Sequence, residues 1–290
     1  SFHSLIFAVI TIVLYKAGVH GDLFISPLKV IGGPGEKFFT VSLFGLNSET
    51  GAGRWRFFTP WAPAAGFMAC IFLIFTCQEK DVFWRNTGLL GSFVMSLLSQ
   101  SRAGWVIYIA LTPLCFLHKH FKNPVLLIII GIAIPAIILL SEPLFNWLSN
   151  SYLDIKASRP ESTRVRNTLE VLALQRWESE APIWGHGIVE KGPKIVEGMP
   201  VGSHHSWYGL LFVKGIVGLL GLAIPLAFTC IYLFWNSIKS QICYTASLML
   251  IVFICYSFFE NLEILSFIYW PALLWIGIAL NPLKSEEKYV

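Results

Sequence analysis

Charged residues are scarce in this sequence. Asp, Glu, Lys and Arg make up 13% of its 290 residues, about half of the roughly 25% found in ordinary soluble domains. Hydrophobic residues account for 55% of the chain, and the mean hydropathy is +0.65. This balance excludes an ordinary soluble domain, and a net charge of +4, carried mostly near the ends of apolar runs, gives no sign of nucleic-acid binding. The composition predicts one integral membrane domain over residues 1–290.

Several chemical signatures are also missing. All six cysteines fall in apolar runs, so the sequence shows no disulfide framework and no cysteine-based zinc site. It lacks a P-loop, a dinucleotide fingerprint and a Gly-x-Ser-x-Gly elbow, which mark nucleotide-binding and α/β-hydrolase sites. The chain opens with Ser-Phe-His-Ser rather than Met, and we expect further membrane spans to precede it.

Long apolar runs dominate what is present. A run of about 17–25 residues can cross a bilayer as a helix. The runs predict an all-α polytopic membrane protein with about eight spans, at 1–19, 62–78, 83–99, 103–118, 124–141, 207–235, 242–259 and 264–280. Residues 142–206 are polar and predict one large structured loop between the fifth and sixth spans. Within this loop, a stripe of Val165, Leu169 and Leu172 predicts a helix over 161–179.

Lysine and arginine in the short loops predict the orientation. They concentrate in four segments that the positive-inside rule places in the cytoplasm: 78–85, 118–122, 236–241 and 281–290. The alternating segments are then expected outside: 20–61, 99–102, 142–206 and 260–263.

Arginine is concentrated at one place in the large loop. Arg159, Arg164 and Arg166 lie within a few residues of one another. The planar guanidinium fork suits the oxygens of a diphosphate. The alternative is a solvated helix face on which these arginines pair with Glu161 and Glu170.

Arg102 stands at the membrane edge. It ends the short turn 99–102 between two predicted spans, on the side where the positive-inside rule disfavours cations. A charge in this position is costly and points to function. The alternative is an arginine that snorkels to the lipid headgroups.

Two histidines precede the sixth span. His204 or His205 could accept a proton from a hydroxyl, because imidazole titrates near neutrality; an unperturbed histidine would lose this capacity below about pH 6.5. The alternative is an interfacial pair beside Trp207 and Tyr208. His186 could join them in a zinc site, but two adjacent histidines rarely bind one ion well, so we expect no metal.

Two carboxylates flank an outer turn. Glu260 and Glu263 could act as an acid and a base, although solvation of the turn is the favoured interpretation.

Three short motifs, in order, resemble one family. Ser99-Gln-Ser-Arg-Ala-Gly resembles the "SR(G/A)" turn of the O-antigen ligase and Wzy-type polymerase superfamily. The segment from Arg166 to Pro182-Ile-Trp-Gly-His-Gly is similar to its "R…P-x-x-G-x-G" pattern. Gly202-Ser-His-His-Ser-Trp, continuing to Gly215-Ile-Val-Gly-Leu-Leu, is similar to its "H-N-x-(Y/F)…G-x-x-G" run. The resemblance covers about 60–290, aligns His204 with the family histidine, and places His205 where Asn is usual.

The resemblance implies a GT-C-like, inverting, metal-independent glycosyltransferase without a cofactor. It would move a glycan from undecaprenyl diphosphate to another carrier-linked glycan or to the lipid A core, at the periplasmic face of the bacterial inner membrane. It implies that Arg102, Arg164 and Arg166, with Arg159 nearby, bind the diphosphate, and that His204 activates the acceptor. A non-enzymatic exporter or flippase of lipid-linked glycans is the alternative; it would place its charges within the membrane rather than at its outer edge.

Overall fold

The computed structural model describes residues 1–19, 22–31, 39–46, 53–117, 160–196 and 198–281. The protein is mostly helical, as the sequence predicts. It forms two compact units: Ser1–Cys115 together with Gly221–Val290, and Phe116–Leu220. The predicted span at 124–141 and Arg159 lie outside the described residues.

The described elements follow one another along the chain with short strands only near the N-terminus. In order, they are α1 (Phe2–Lys16), β1 (Phe24–Ile25), a 3-10 turn (Pro27–Ile31), β2 (Thr40–Val41), β3 (Phe44–Leu46), β4 (Gly53–Trp55), α2 (Ala62–Cys77), α3 (Val82–Ser99), α4 (Arg102–Leu117), α5 (Pro160–Glu180), a 3-10 turn (Lys194–Val196), α6 (Ser206–Ser237), α7 (Gln241–Ser257) and α8 (Trp270–Ala279). Strands β1 and β2 pair antiparallel, as do β3 and β4. Helix α5 matches the helix predicted over 161–179 to within a residue at each end.

Local sequence explains where several helices begin. The Asp81 carboxylate accepts the Trp84 N–H at 3.0 Å and caps α3. The Ser240 hydroxyl accepts the Cys243 N–H at 3.4 Å and caps α7. Helices α2 and α8 carry a proline in their first turn, where the missing N–H would have no partner within the helix.

Small residues let the helices of the first unit approach closely. Helix α2 is buried along most of its length and packs against α3 and α7. A Cβ at Gly66 would lie 2.7 Å from Ser101 Cβ, and one at Gly88 would lie 2.6 Å from Thr76 Cγ2. Side chains at these positions would hold the helices apart, so glycine sets the spacing, as is common between membrane helices.

One helix among the described residues, α6, is long and apolar enough to cross a membrane by length and composition. Helices α1, α2, α4, α7 and α8 are apolar but shorter. The span predicted at 264–280 is too long, because residues 262–268 form turns and α8 has only 10 residues. Ten residues rise about 15 Å, half of the roughly 30 Å of a bilayer core.

Hydrogen bonds join connecting segments of the first unit at each end of α2. At its C-terminal end, Gln241 Nε2 donates to Gln78 Oε1 at 2.8 Å. At its N-terminal end, Trp61 Nε1 donates to Glu260 Oε2 at 3.1 Å. Gln78 of segment 78–85 thus meets Gln241 of segment 236–241 at one end, and Trp61 of segment 20–61 meets Glu260 of segment 260–263 at the other. The charge pattern predicts that the two segments of each pair lie on the same side of a membrane.

The orientation that the lysine and arginine pattern predicts can be tested with exposed cysteine probes. Lys194 and Lys239 are both exposed, so Lys194→Cys and Lys239→Cys should leave the fold intact. From the lysine and arginine pattern, we expect a membrane-impermeant thiol reagent to label position 194, and not position 239, when it reaches only the outer side of the membrane. The parent protein, without either substitution, is the control for labelling of the native cysteines. Labelling of position 239 alone would show that the orientation is opposite to the one predicted.

Candidate functional site

A break in α6 organises the second unit. Gly215 has φ +60° and ψ −164°, which interrupts the helix. The segment that follows α5, residues 182–189, lies against this break and is here named the docking loop. Its backbone pairs with both interrupted helix ends through four hydrogen bonds: His186 N–H to Phe212 O at 2.9 Å, Gly187 N–H to Val213 O at 2.8 Å, Ile216 N–H to Pro182 O at 3.0 Å, and Val217 N–H to Ile183 O at 3.2 Å. A helix end leaves backbone N–H and C=O groups without partners. The docking loop provides hydrogen-bond partners for four of these groups at the break.

Glycine is required on both sides of this contact. A Cβ at Gly215 would lie 2.2 Å from Ile183 O, and one at Gly185 would lie 2.4 Å from Gly215 N. Gly215 also has a positive φ, which side chains rarely adopt. Two of the three family-like motifs, the Gly-His-Gly loop and the run that begins at Gly215, are therefore two halves of one backbone contact.

An ion network fixes the docking loop to α5. Arg176 donates to both oxygens of Glu180, from Nε at 3.0 Å to Oε1 and from Nη2 at 2.8 Å to Oε2. Its Nη1 donates to Glu190 Oε2 at 2.6 Å, and its guanidinium lies 5.2 Å from the Phe212 ring centre. His186 stacks on the same ring at 4.2 Å and contacts Glu180 Oε2 through Nε2 at 2.8 Å.

The two carboxylates of this network stay ionised at neutral pH. Hydrogen bonds from Arg176 and then His186 lower the pKa of Glu180 to about 2, and Arg176 lowers the pKa of Glu190. His186 Nδ1 lies 3.0 Å from Phe212 O, so both ring nitrogens have partners. His186, considered from the sequence as a metal ligand, is thus held by structural contacts.

His204 occupies a different environment. Its Nε2 lies 3.2 Å from the sulfur of Met199, which can only accept, so Nε2 carries the proton and Nδ1 carries the lone pair. Nδ1 is buried and has no hydrogen-bond partner among the described residues. Burial, and secondly the charge of Arg166, lowers the pKa of His204 to about 4. At neutral pH this residue is an uncharged imidazole whose buried Nδ1 carries the lone pair.

His205 instead begins α6. Its Nδ1 accepts the Tyr208 N–H at 3.4 Å, and its ring stacks on Tyr208 at 4.1 Å. This is the position of a helix N-cap, which accepts an N–H three residues later and for which Asn is among the best residues. The family-like pattern has Asn at this position, so His205 replaces one capping side chain with another.

The arginines of the predicted diphosphate site divide between the units. Arg166 is half-buried on α5 and lies close enough to His204 for its charge to act on that ring. Arg164 is exposed on the same helix. Arg102 belongs to the first unit, where it is half-buried at the start of α4.

The turn that presents Arg102 is tightly built. Gln100 adopts a left-handed conformation with φ +50° and donates through Nε2 to Gly53 O at 3.1 Å. The Ser101 hydroxyl accepts the Gly104 N–H at 3.1 Å and caps α4. The backbone of the Ser-Arg turn is thereby fixed, which gives the Arg102 side chain a defined origin.

Glu260 is buried rather than solvated. Its exposed fraction is 3%, and it accepts the indole N–H of Trp61. The favoured sequence interpretation, a solvated turn, is therefore wrong for Glu260, although Glu263 is exposed. A buried carboxylate needs partners, and sequence reasoning could not see that Trp61, almost two hundred residues away, would be one.

The structure brings together His204, Met199 and Arg166 and separates His186 and His205 into structural roles. Met199 was missed by sequence reasoning, since a lone methionine in a polar loop gives no signal. Among the residues that the structure covers, there is no group of three His, Cys, Asp or Glu side chains that could hold a metal ion. The chain matches no family model and no curated protein.

The glycine at the helix break can be tested directly. Gly215→Ala places a Cβ against Ile183 O at a positive φ, so we expect a loss of about 1–3 kcal/mol in unfolding free energy. The measurement is thermal unfolding of purified protein in detergent. Gly221→Ala is the matched control on α6, because a Cβ there meets nothing within 4 Å and alanine favours a helix. Equal melting of the two variants would show that the contact is not needed.

The two histidines should respond differently to substitution. His205→Asn keeps a capping side chain and should melt like the wild type, whereas His205→Ala should lose about 0.5–2 kcal/mol. The measurement is again thermal unfolding in detergent. If His205→Asn is as unstable as His205→Ala, capping is not the role of this residue.

Proposed function

We propose that this protein is a membrane glycosyltransferase of the O-antigen ligase or polymerase type. It moves a glycan from undecaprenyl diphosphate to a hydroxyl of a second glycan or of a lipid A core. The observation that carries the proposal is His204: a neutral imidazole whose buried Nδ1 has no hydrogen-bond partner among the described residues, beside Arg166, one residue before the N-cap of a helix that can cross a membrane.

The proposed step is one displacement at the anomeric carbon of the donor sugar. The acceptor oxygen forms a bond to that carbon while the bond to the diphosphate oxygen breaks, which inverts the configuration. The acceptor proton passes to Nδ1 of His204. The bond electrons leave with the diphosphate, which departs as an anion. No redox step and no cofactor are required, and the proposal assigns no metal to the reaction.

Arginine suits the leaving group. Charge develops on the diphosphate as the glycosidic bond breaks, and guanidinium groups placed there stabilise the transition state more than the ground state. Arg166 is the first candidate because it shares the environment of His204, and Arg164 lies on the same helix. Arg102 is assigned to the diphosphate from its position in the Ser-Arg turn at the membrane edge. Arg159 is kept as a further candidate from the sequence.

The low pKa of His204 has one disadvantage and one advantage for a general base. A group with pKa about 4 accepts a proton less readily than one near 7, yet it is fully neutral at physiological pH, when an ordinary histidine is partly protonated. Arg166 contributes to this by disfavouring a second positive charge. Arg166 can therefore bind an anionic leaving group while His204 stays unprotonated and able to act as the base.

The protein would be a multi-pass component of the bacterial inner membrane, crossed by the predicted spans other than 264–280, with its large loop in the periplasm. The support is the pattern of apolar runs and of lysine and arginine in the short loops. The side chains that bind substrate would then face the compartment in which carrier-linked glycans are assembled.

The decisive experiment is transfer by purified protein in detergent. The substrates are an undecaprenyl diphosphate-linked glycan and, separately, each class of acceptor. We expect covalent product with one of them. An exporter or flippase moves its cargo between two sides of a membrane and cannot form product where no membrane separates them, so its signature is transport in vesicles without product in detergent.

The assignment of His204 as the general base predicts the effect of one substitution and the pH dependence of the rate. His204→Ala should lower turnover by about 10²–10⁴ while lipid-diphosphate binding persists. The wild-type rate should hold as pH falls through 6.5 and drop only as pH falls through about 4, because His204 stays neutral above its folded-state pKa. His205→Asn is the matched control and should keep this profile. A drop near 6.5, or full turnover in His204→Ala, would remove His204 from the mechanism.

The geometry of Arg102 can be separated from its charge. Arg102→Lys keeps the charge and loses the planar fork, so we expect transfer to fall by about 10²–10³, the effect of losing one donor to a developing anion. Arg85→Lys on α3 is the control and should transfer normally. Full activity in Arg102→Lys would show that Arg102 serves as a headgroup anchor.

A further inference from the structure

The docking loop exposes an unusual amount of apolar surface. Four of its eight residues are large hydrophobic side chains that are more than half exposed: Ile183 at 56%, Trp184 at 73%, Ile188 at 62% and Val189 at 61%. The same loop is bound rigidly through its backbone and through His186. Fixed apolar surface of this kind marks a surface that contacts something other than water.

The position of the docking loop on α6 indicates what its exposed apolar surface contacts. Pro182 O and Ile183 O accept the N–H groups of Ile216 and Val217, the first turn of α6 after the break. This part of the helix belongs to the apolar stretch that can cross a membrane by length and composition, and its Val217 and Leu220 side chains are 43% and 47% exposed. The apolar surface of the loop is therefore continuous with a helix surface of the kind that faces lipid.

The composition of the surroundings fits the edge of a bilayer. Tryptophan is enriched where hydrocarbon meets headgroups, because its ring is apolar and its N–H is polar. Exposed lysines lie near the apolar positions in sequence or in space: Lys191 and Lys194 follow the loop, and the Gly185 backbone packs against that of Lys214. Lysine near an apolar patch favours anionic headgroups.

We infer that the docking loop is a membrane-interface anchor: Ile183, Trp184, Ile188 and Val189 insert into the boundary between headgroups and acyl chains of an anionic bilayer. The inference requires α6 to cross the membrane and does not depend on the transferase proposal. Insertion of the loop would fix the position of the second unit relative to the membrane surface. Because the loop is bonded to α6 and to α5, its insertion sets the depth at which α5 and His204 stand relative to the lipid.

Spin labels test the insertion in the intact protein. Trp184→Cys and Ile188→Cys are labelled with a nitroxide and reconstituted in vesicles of zwitterionic and anionic phospholipids. The control is Val171→Cys, another apolar residue that is 52% exposed, on α5 and away from the docking loop in sequence. The parent protein, labelled in the same way, measures the native cysteines.

The readout is collision of each label with oxygen, which concentrates in lipid, and with a water-soluble nickel chelate. We expect labels at 184 and 188 to collide more with oxygen than with the chelate, and the label at 171 to show the reverse. Collision mainly with the chelate at 184 and 188 would overturn the inference. Protection from both reagents would also overturn it, since a second protein surface would then cover the loop.

Discussion

The backbone contact between the docking loop and the break at Gly215 is the constraint on which the second unit depends. A helix interrupted in its interior leaves amide and carbonyl groups that must find partners. The docking loop meets that need from both sides, with two N–H groups for the carbonyls before the break and two carbonyls for the N–H groups after it. The close approach admits no side chain at Gly185 or Gly215, so the contact is specified by glycine and by chain geometry rather than by polar side chains.

That contact also sorts the polar residues of the loop. His186 lies inside it, so its two nitrogens are used by Phe212 O and Glu180, and Arg176 is used by Glu180 and Glu190. These charges hold the loop on α5. His204 lies outside it, in a turn where burial and Arg166 keep the ring neutral. His186 is thus engaged through both ring nitrogens, whereas the Nδ1 of His204 is buried without a hydrogen-bond partner among the described residues.

The first unit depends on a different device. Glycines on α2 and α3 allow close helix packing, and the connections are then tied at the two ends of α2. Trp61 reaches Glu260 at one end, which turns a carboxylate near a loop into a buried one. The same compact packing holds Ser101, which caps α4, against Gly66, so the backbone position of Arg102 at the start of α4 depends on helix spacing within the unit.

The sequence by itself determined the helical class and the position of α5, because composition and periodicity act over short stretches. It could not determine the length of α8, since residues 262–268 are apolar enough to continue a helix and only the tertiary structure folds them into turns. Nor could it divide the roles of three histidines that are alike in chemistry. His205 caps its own helix through Tyr208, a local contact. His186 completes an ion network because Phe212 and Glu180 meet its ring, and the pKa of His204 is lowered because burial and Arg166 act on its ring. Only the tertiary structure brings Phe212 to His186 and Arg166 near His204, and it is burial and distance that decide what an imidazole can do.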